Sequence, residues 1–327
     1  MRRRDFVTLV GGAAAGWPFV ARAQERPTPV IGLLNFVSFE SYSDRVAILR
    51  EGLRDAGFIE GHNLVIEYRS ADGHAERLPD LVSDLVRRKV SVLVTIGGDL
   101  PTLAAKAATA TIPIVFATGG DPVLTGLVSS LSRPEANITG VSFSSELLDG
   151  KRLGLLHELL PQARSIAFLT SLNPTAAARA SELTSAAARA LGIEVATFDV
   201  KNEQEIDAAF DSMMRQGIGG LVVENDAYLN SRKDQIIALA ARHRVPAVYA
   251  YREHTLAGGL MSYGTDVNEM YRPAGVYAGR ILKGVKPADL PILQPTNFLL
   301  IINLKTAKAL GLDVPLFLQQ RADEVIE

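Results

Sequence analysis

Val90-Ser91-Val92-Leu93-Val94-Thr95-Ile96 runs directly into Gly97-Gly98-Asp99-Leu100-Pro101. The first seven residues are mostly apolar and β-branched, without an alternating polar face, as a strand covered on both sides requires. Two glycines then allow a tight turn and close backbone approach. Pro101 stands where the first turn of a helix tolerates proline, which predicts a helix over Thr102–Thr109. Strand, glycine turn and helix together make the repeating unit of an open parallel sheet.

The unit recurs on both sides of this stretch. Strands are predicted at Val30–Phe36, Leu64–Tyr68, Ile112–Ala117 and Thr139–Phe143, and in the second half at Ser165–Thr170, Glu194–Val200, Ile218–Glu224, Val245–Ala250 and Gly259–Tyr263. Helices fall between them. Val46, Leu49 and Leu53 recur at helical spacing in Tyr42–Ala56, with Gly57 placed to end the helix. Leu78, Leu81, Val82 and Leu85 repeat the pattern, and Thr175–Leu191 and Glu203–Gln216 stop at Gly192 and Gly217. Matched strand starts lie 120–135 residues apart, although the residues themselves do not repeat. The fold class that follows is α/β, with two doubly wound parallel-sheet lobes. A helix over Asp266–Leu282, a strand over Phe298–Asn303 and a helix over Leu304–Leu310 are left over, so the chain is expected to cross back between lobes and form a multi-crossover hinge. The domain boundaries expected are 27–143 with a return helix at about 266–284, and 144–263 with a C-terminal strand and helix at about 296–327.

The 327 residues suit two domains of about 150 each. A net charge of −2 gives no basic excess, so nucleic-acid binding is not expected. The chain has no cysteine, which excludes disulfides, thiolate metal sites and a lipidated N-terminal cysteine. Met1-Arg2-Arg3-Arg4-Asp5-Phe6-Val7 is followed by a small-residue apolar run to Val20 that is too short to span a bilayer of about 20 residues. Ala21-Arg22-Ala23 fits a signal-peptide cleavage site, predicting removal of 1–23, and the paired arginines point to the twin-arginine route. Processing would leave 30 basic and 35 acidic residues and a net charge of −5. No later stretch reaches roughly 18 uninterrupted apolar residues, so the mature chain is expected not to insert into a membrane.

Catalytic signatures are missing. There is no GxxxxGK[ST], and Leu260-Met261-Ser262-Tyr263-Gly264 lacks the first glycine of a nucleophile elbow. The five histidines are scattered, so neither a metal nor a cofactor is expected. Small and polar residues do gather after the predicted strands, at the edge where open α/β sheets bind ligands. The candidates in the first half are Phe36, Ser38, Gly97, Gly98, Asp99, Asp121, Pro122 and Ser144, and in the second half Asn173, Asn225, Asp226, Tyr251 and Tyr263. Helix N-termini behind the glycines suit a carboxylate, Asp121, Asp226 or Glu253 suits an ammonium group, and the aromatic rings suit an apolar or aromatic side chain. Asp99 and Asp121 also read as N-caps.

Ile112-Pro113-Ile114-Val115-Phe116, Gly120-Asp121-Pro122-Val123, Gly126-Leu127-Val128, Asn137-Ile138-Thr139-Gly140-Val141 and Ile302-Asn303-Leu304-Lys305-Thr306-Ala307-Lys308-Ala309-Leu310-Gly311 give the mature chain a specific resemblance. It resembles the ABC transporter substrate-binding family of the tryptophan/tyrosine-binding type. The family often has a Gly-Thr-Pro-type turn where this chain has Gly97-Gly98-Asp99. The resemblance implies a periplasmic binding protein type I-like fold with three crossovers, and an amino acid or related carboxylate or aromatic compound held between the lobes. It also implies a non-enzymatic periplasmic component of an importer, a monomer partnered by an ABC permease and separate ATPase subunits. Two alternatives remain open: a ligand-sensing periplasmic module serving a receptor, and an exported enzyme using the cleft.

Overall fold

The computed structural model describes residues 27–134, 136–143, 146–171 and 174–327. The predicted leader, Ser144 and Asn173 lie outside the described residues.

The first lobe runs β1 (Val30–Asn35), α1 (Ser43–Asp55), β2 (Val65–Ser70), α2 (Leu78–Arg87), β3 (Val92–Ile96), α3 (Asp99–Ala108), β4 (Ile114–Thr118) and β5 (Ile138–Ser142). The second continues with α4 (Glu146–Leu159), β6 (Ser165–Ser171), α5 (Pro174–Leu191), β7 (Glu194–Val200), α6 (Glu203–Arg215), β8 (Gly220–Val223), α7 (Ala227–Ser231), α8 (Lys233–His243), β9 (Ala247–Tyr249), α9 (Arg252–Leu256) and β10 (Met261–Thr265). The chain ends with α10 (Val267–Leu282), β11 (Phe298–Asn303), α11 (Leu304–Leu310), α12 (Leu316–Arg321) and β12 (Glu324–Ile326).

Strand order makes the internal repeat explicit. The first sheet is β2-β1-β3-β4-β5, and the second is β12-β11-β10-β9-β8-β6-β7. Read from β7 to β10, the second sheet repeats the order of the first, and every pair within these two five-strand sets is parallel. β1, β3, β4 and β5 are buried almost throughout, which explains their continuous apolar sequence. The addition to the second sheet departs from the all-parallel expectation. β11 pairs antiparallel with β10, Met261 opposite Ile302, because the chain returns from the first lobe before entering it.

The chain passes between the lobes three times: after β5, after β10 and before β11. Following β10, α10 packs on α1 and against β3, β4 and β5. Residues 290–293 then run along the edge of β5, with Leu293 N–H donating to the Gly140 carbonyl (3.0 Å) and the Leu293 carbonyl accepting from Ser142 N–H (2.9 Å).

The α1–α10 contact depends on missing side chains. A Cβ on Gly275 would lie 2.1 Å from the Leu49 carbonyl oxygen, and one on Gly52 would lie 2.0 Å from that of Arg272. The two backbones therefore touch directly, and added volume has nowhere to go. Gly275→Ala is expected to destabilise the protein by about 1–3 kcal/mol in urea unfolding; a loss below about 0.5 kcal/mol contradicts this packing.

Candidate ligand-binding site

The C-terminal ends of the parallel strands of both sheets converge on the lobe boundary. From the first lobe, Arg45 reaches across from α1. It donates through Nη2 to Oε1 of Glu253, and its guanidinium lies 4.6 Å from the Tyr42 ring centroid and 5.7 Å from that of Tyr251. Arg45 is only 5% exposed. A guanidinium removed from water needs both an anion and π faces to offset its lost hydration, and it has both here. Tyr271 of α10 is buried in the same hydrophobic cluster as Tyr42 and Tyr251. Burial raises the ionisation of Tyr42, Tyr251 and Tyr271 above the ordinary phenol range, so all three remain neutral hydroxyls.

The loop after β8 continues this surface. Asn225 Nδ2 donates to the Tyr251 hydroxyl (2.8 Å), while Asn225 Oδ1 accepts from Asn230 Nδ2 (2.8 Å). Asp226 caps α7, accepting from the N–H groups of Tyr228 (2.7 Å) and Leu229 (3.1 Å), and it accepts from the Ser171 hydroxyl as well. Burial pushes its carboxyl above the usual range despite those hydrogen bonds. Glu224, which accepts from the Thr170 hydroxyl, is shifted further in the same direction, first by burial and then by Asp226 and Asp149. A cavity of about 280 Å³ opens at the boundary, walled by Ser38, Ser41 and Asp72 from the first lobe and by Tyr228, Ser231 and Arg232 from the second.

The remaining candidates divide by their local partners. Phe36 is buried in a hydrophobic cluster that takes in Ala227, Ala250 and Tyr251 of the second lobe. Gly97 and Gly98 both have positive φ (82° and 101°), and a Cβ on Gly97 would meet Asn35 Oδ1 at 2.4 Å. Among the described residues, neither glycine N–H has a hydrogen-bond acceptor. Asp99 is buried beneath the next turn, where Thr118 donates to it and a Cβ on Gly120 would collide with its carboxylate. Gly98, not Asp99, is the residue that caps α3. Asp121 accepts from Val123 N–H (2.8 Å) and Leu124 N–H (3.2 Å), capping the turn that begins at the buried Pro122. Tyr263 stacks on Phe298 (6.3 Å between centroids), and its carbonyl accepts from Arg152 Nε (2.8 Å).

Sequence reasoning missed Tyr42, Arg45, Glu224 and Tyr271. For Arg45 a signal existed: Tyr42, Arg45 and Leu49 share one helical face with the buried Leu53, so a charge stood on the apolar stripe.

Among the described residues, no cluster of three or more acidic or histidine side chains is arranged to hold a metal, and no helix is long and apolar enough to cross a membrane.

Comparison with known proteins agrees with this architecture. The family described as "ABC transporter substrate binding protein" matches residues 30–326. The chain belongs to that family. A tyrosine-binding protein of Clostridioides difficile strain R20291 is 26% identical over 282 residues, covering 86% of this chain and 81% of the relative. A solved conserved domain protein from Vibrio cholerae has a TM-score of 0.84 and 26% identity, covering 91% of this chain and 99% of its own. The ABC domain from Streptococcus pneumoniae solved in complex with L-Trp has a TM-score of 0.82 and 25% identity, with 91% and 100% covered. These periplasmic binding protein type I-like neighbours fix the fold class of this substrate-binding protein.

Behind the boundary, His254 is 2% exposed and stacked on Tyr249 at 5.3 Å. Burial, then the nearby Arg45 charge, pushes its pKa down to about 3. The unfolded chain takes up a proton near pH 6.5 that native His254 refuses until about pH 3, so stability is lost as pH falls through that window. Glu224, with a raised native pKa, acts in the opposite sense. Replacing His254 isolates its share: urea unfolding of His254→Gln between pH 7 and 5 is expected to show a pH slope smaller by about one proton than wild type. Parallel slopes contradict a neutral buried imidazole.

Proposed function

We propose that this protein is the periplasmic solute-binding component of an ABC importer, closing its two lobes on an aromatic amino acid or a related carboxylate. The observation that carries the reading is the lobe boundary, where the buried Arg45, Tyr42 and Tyr251 join the partly exposed Glu253 and Asn225 in one polar and aromatic cluster, with a cavity between the lobes. Such a surface matches an amino acid group by group. The unengaged N–H groups of Gly97 and Gly98 suit a carboxylate, Asp226 or Glu224 suits an ammonium group, and Phe36, Tyr42 and Tyr251 suit an aromatic face. The relatives named for tyrosine and solved with L-Trp support the same ligand class.

Binding of this kind requires no covalent step. A ligand first held by one lobe acquires contacts from the other as the hinge closes, and the closed pair of lobes then presents one surface to a membrane permease. The ATPase and permease are separate chains on this reading. The basic, apolar and Ala21-Arg22-Ala23 segments of the N-terminus support export to the periplasm with cleavage after Ala23.

The chain supplies its own optical window. Its single tryptophan is Trp17, inside the predicted leader, so a chain processed after Ala23 contains none. Fluorescence of added L-tryptophan then reports on the ligand alone. Titration of the processed protein is expected to shift that emission to the blue and saturate it, with L-tyrosine competing. Tyr251→Ala is expected to weaken binding by at least about tenfold. Unshifted emission, together with no thermal stabilisation by any amino acid or aromatic acid tried, overturns the reading.

A further inference from the structure

The C-terminal stretch Asn303-Leu304-Lys305-Thr306-Ala307-Lys308-Ala309-Leu310-Gly311 carries α11 and contributes no residue to the interlobe cavity. Parts of it have evident structural work. Asn303 Oδ1 caps α11 by accepting from Thr306 N–H (3.0 Å), its Nδ2 ties α11 to the Thr255 carbonyl (3.1 Å), and Gly311 closes the helix with φ 75°. Lys305 has no such explanation. It is exposed, and among the described residues it makes no ion pair.

Lys305 borders a cavity of about 320 Å³ between α8, α11 and the beginnings of β9 and β10. Val245 and Ala247 enter β9 here, and Gly259 and Leu260 enter β10, so the cavity opens at the N-terminal ends of strands whose opposite ends face the cleft. Its walls are chiefly aliphatic, with Ile237, Ala240, Leu260 and Ala309 prominent, and no acidic side chain lines it. Tyr249 forms another wall. The Tyr249 side chain is 1% exposed, and its ring passes beneath Gly259, where a Cβ would lie 2.8 Å from the ring. Among the described residues, the Tyr249 hydroxyl makes no hydrogen bond, and it is not one of the unpartnered polar atoms sealed from solvent. Thr306 is already engaged, donating to the Gly258 carbonyl (2.9 Å).

We propose that this cavity is a second ligand site, for a small apolar monocarboxylate. The size lies at the lower end of small-molecule pockets. The aliphatic walls suit a hydrocarbon or aromatic body, and Lys305 at the rim supplies the one charge on the lining, which is positive. Tyr249, another lining residue, brings a hydroxyl that makes no hydrogen bond among the described residues. A sugar or a zwitterion would leave its other polar groups unpaired against the aliphatic walls. The site is independent of the proposed cleft ligand, because none of its lining residues belongs to the lobe boundary.

The test is calorimetric titration of the processed chain with sodium octanoate and with its neutral analogue octanamide. Wild type is expected to bind octanoate. Lys305→Met is expected to weaken octanoate by about tenfold while leaving octanamide unchanged, and Tyr249→Phe is expected to weaken octanoate by a few-fold. Ala309→Trp, a substitution at an exposed position, is expected to fill the cavity and remove octanoate binding while the melting temperature holds. Octanoate that fails to bind wild type at about 10 mM overturns the proposal. Binding unchanged in both Ala309→Trp and Lys305→Met overturns it too, since octanoate then sits elsewhere.

Discussion

The buried Arg45 guanidinium is the point on which the two lobes meet. It comes from α1 of the first lobe, pairs with Glu253 of the second, and lies between the rings of Tyr42 and Tyr251. Removing such a pair from water is expensive, and the attraction between its charges roughly offsets that expense. Its net contribution to stability is therefore small compared with its effect on geometry. Two of its contacts cross the boundary, the ion pair with Glu253 and the approach to the Tyr251 ring, while the Asn225 hydrogen bond holds that ring in place within the second lobe. Separation of the lobes would return both charges to water, so a clasp of this type can bind and release without a large energy difference.

Everything around that contact is arranged to hold it in place. The glycine seam between α1 and α10 lets a helix that follows the second lobe's β10 lie directly against the helix that carries Arg45. Tyr271 of α10 is buried in the cluster that holds Tyr42 and Tyr251, so the return helix also packs with the rings of the clasp. The three passages of the chain thus couple the lobes at their backbone and at their facing surfaces. In the first lobe, Asp99 is engaged by Thr118, while Gly97 is buried and Gly98 partly exposed, both with positive φ.

Much of this fold was readable from sequence, because strands buried on both faces leave continuous apolar runs and the helices between them keep one apolar stripe. The exceptions have physical causes. α4 carries buried Leu153, Leu155, Leu156 and Leu159 together with the buried pair Asp149 and Arg152, so no single stripe marks it. β12 is only three residues long and gains its place by pairing with β11. The site was harder to read. Phe36, Asn225, Asp226 and Tyr251 reach the lobe boundary from strand-end loops, where a topological rule could find them. Arg45 reaches it from the side of a helix, and only its position on an apolar face gave it away. Asp121 caps a turn and Tyr263 stacks on Phe298, local partners that depend on contacts invisible in one dimension.

The central claim is that one small ligand engages loops of both lobes together. Amide hydrogen exchange of the processed protein, with and without saturating L-tryptophan or L-tyrosine, tests it most directly. The account predicts simultaneous protection of the Gly97–Gly98 turn and the Phe36–Tyr42 loop in the first lobe, and of Asn225–Tyr228 and Tyr251–Glu253 in the second. Protection confined to one lobe, or none at either, would contradict it.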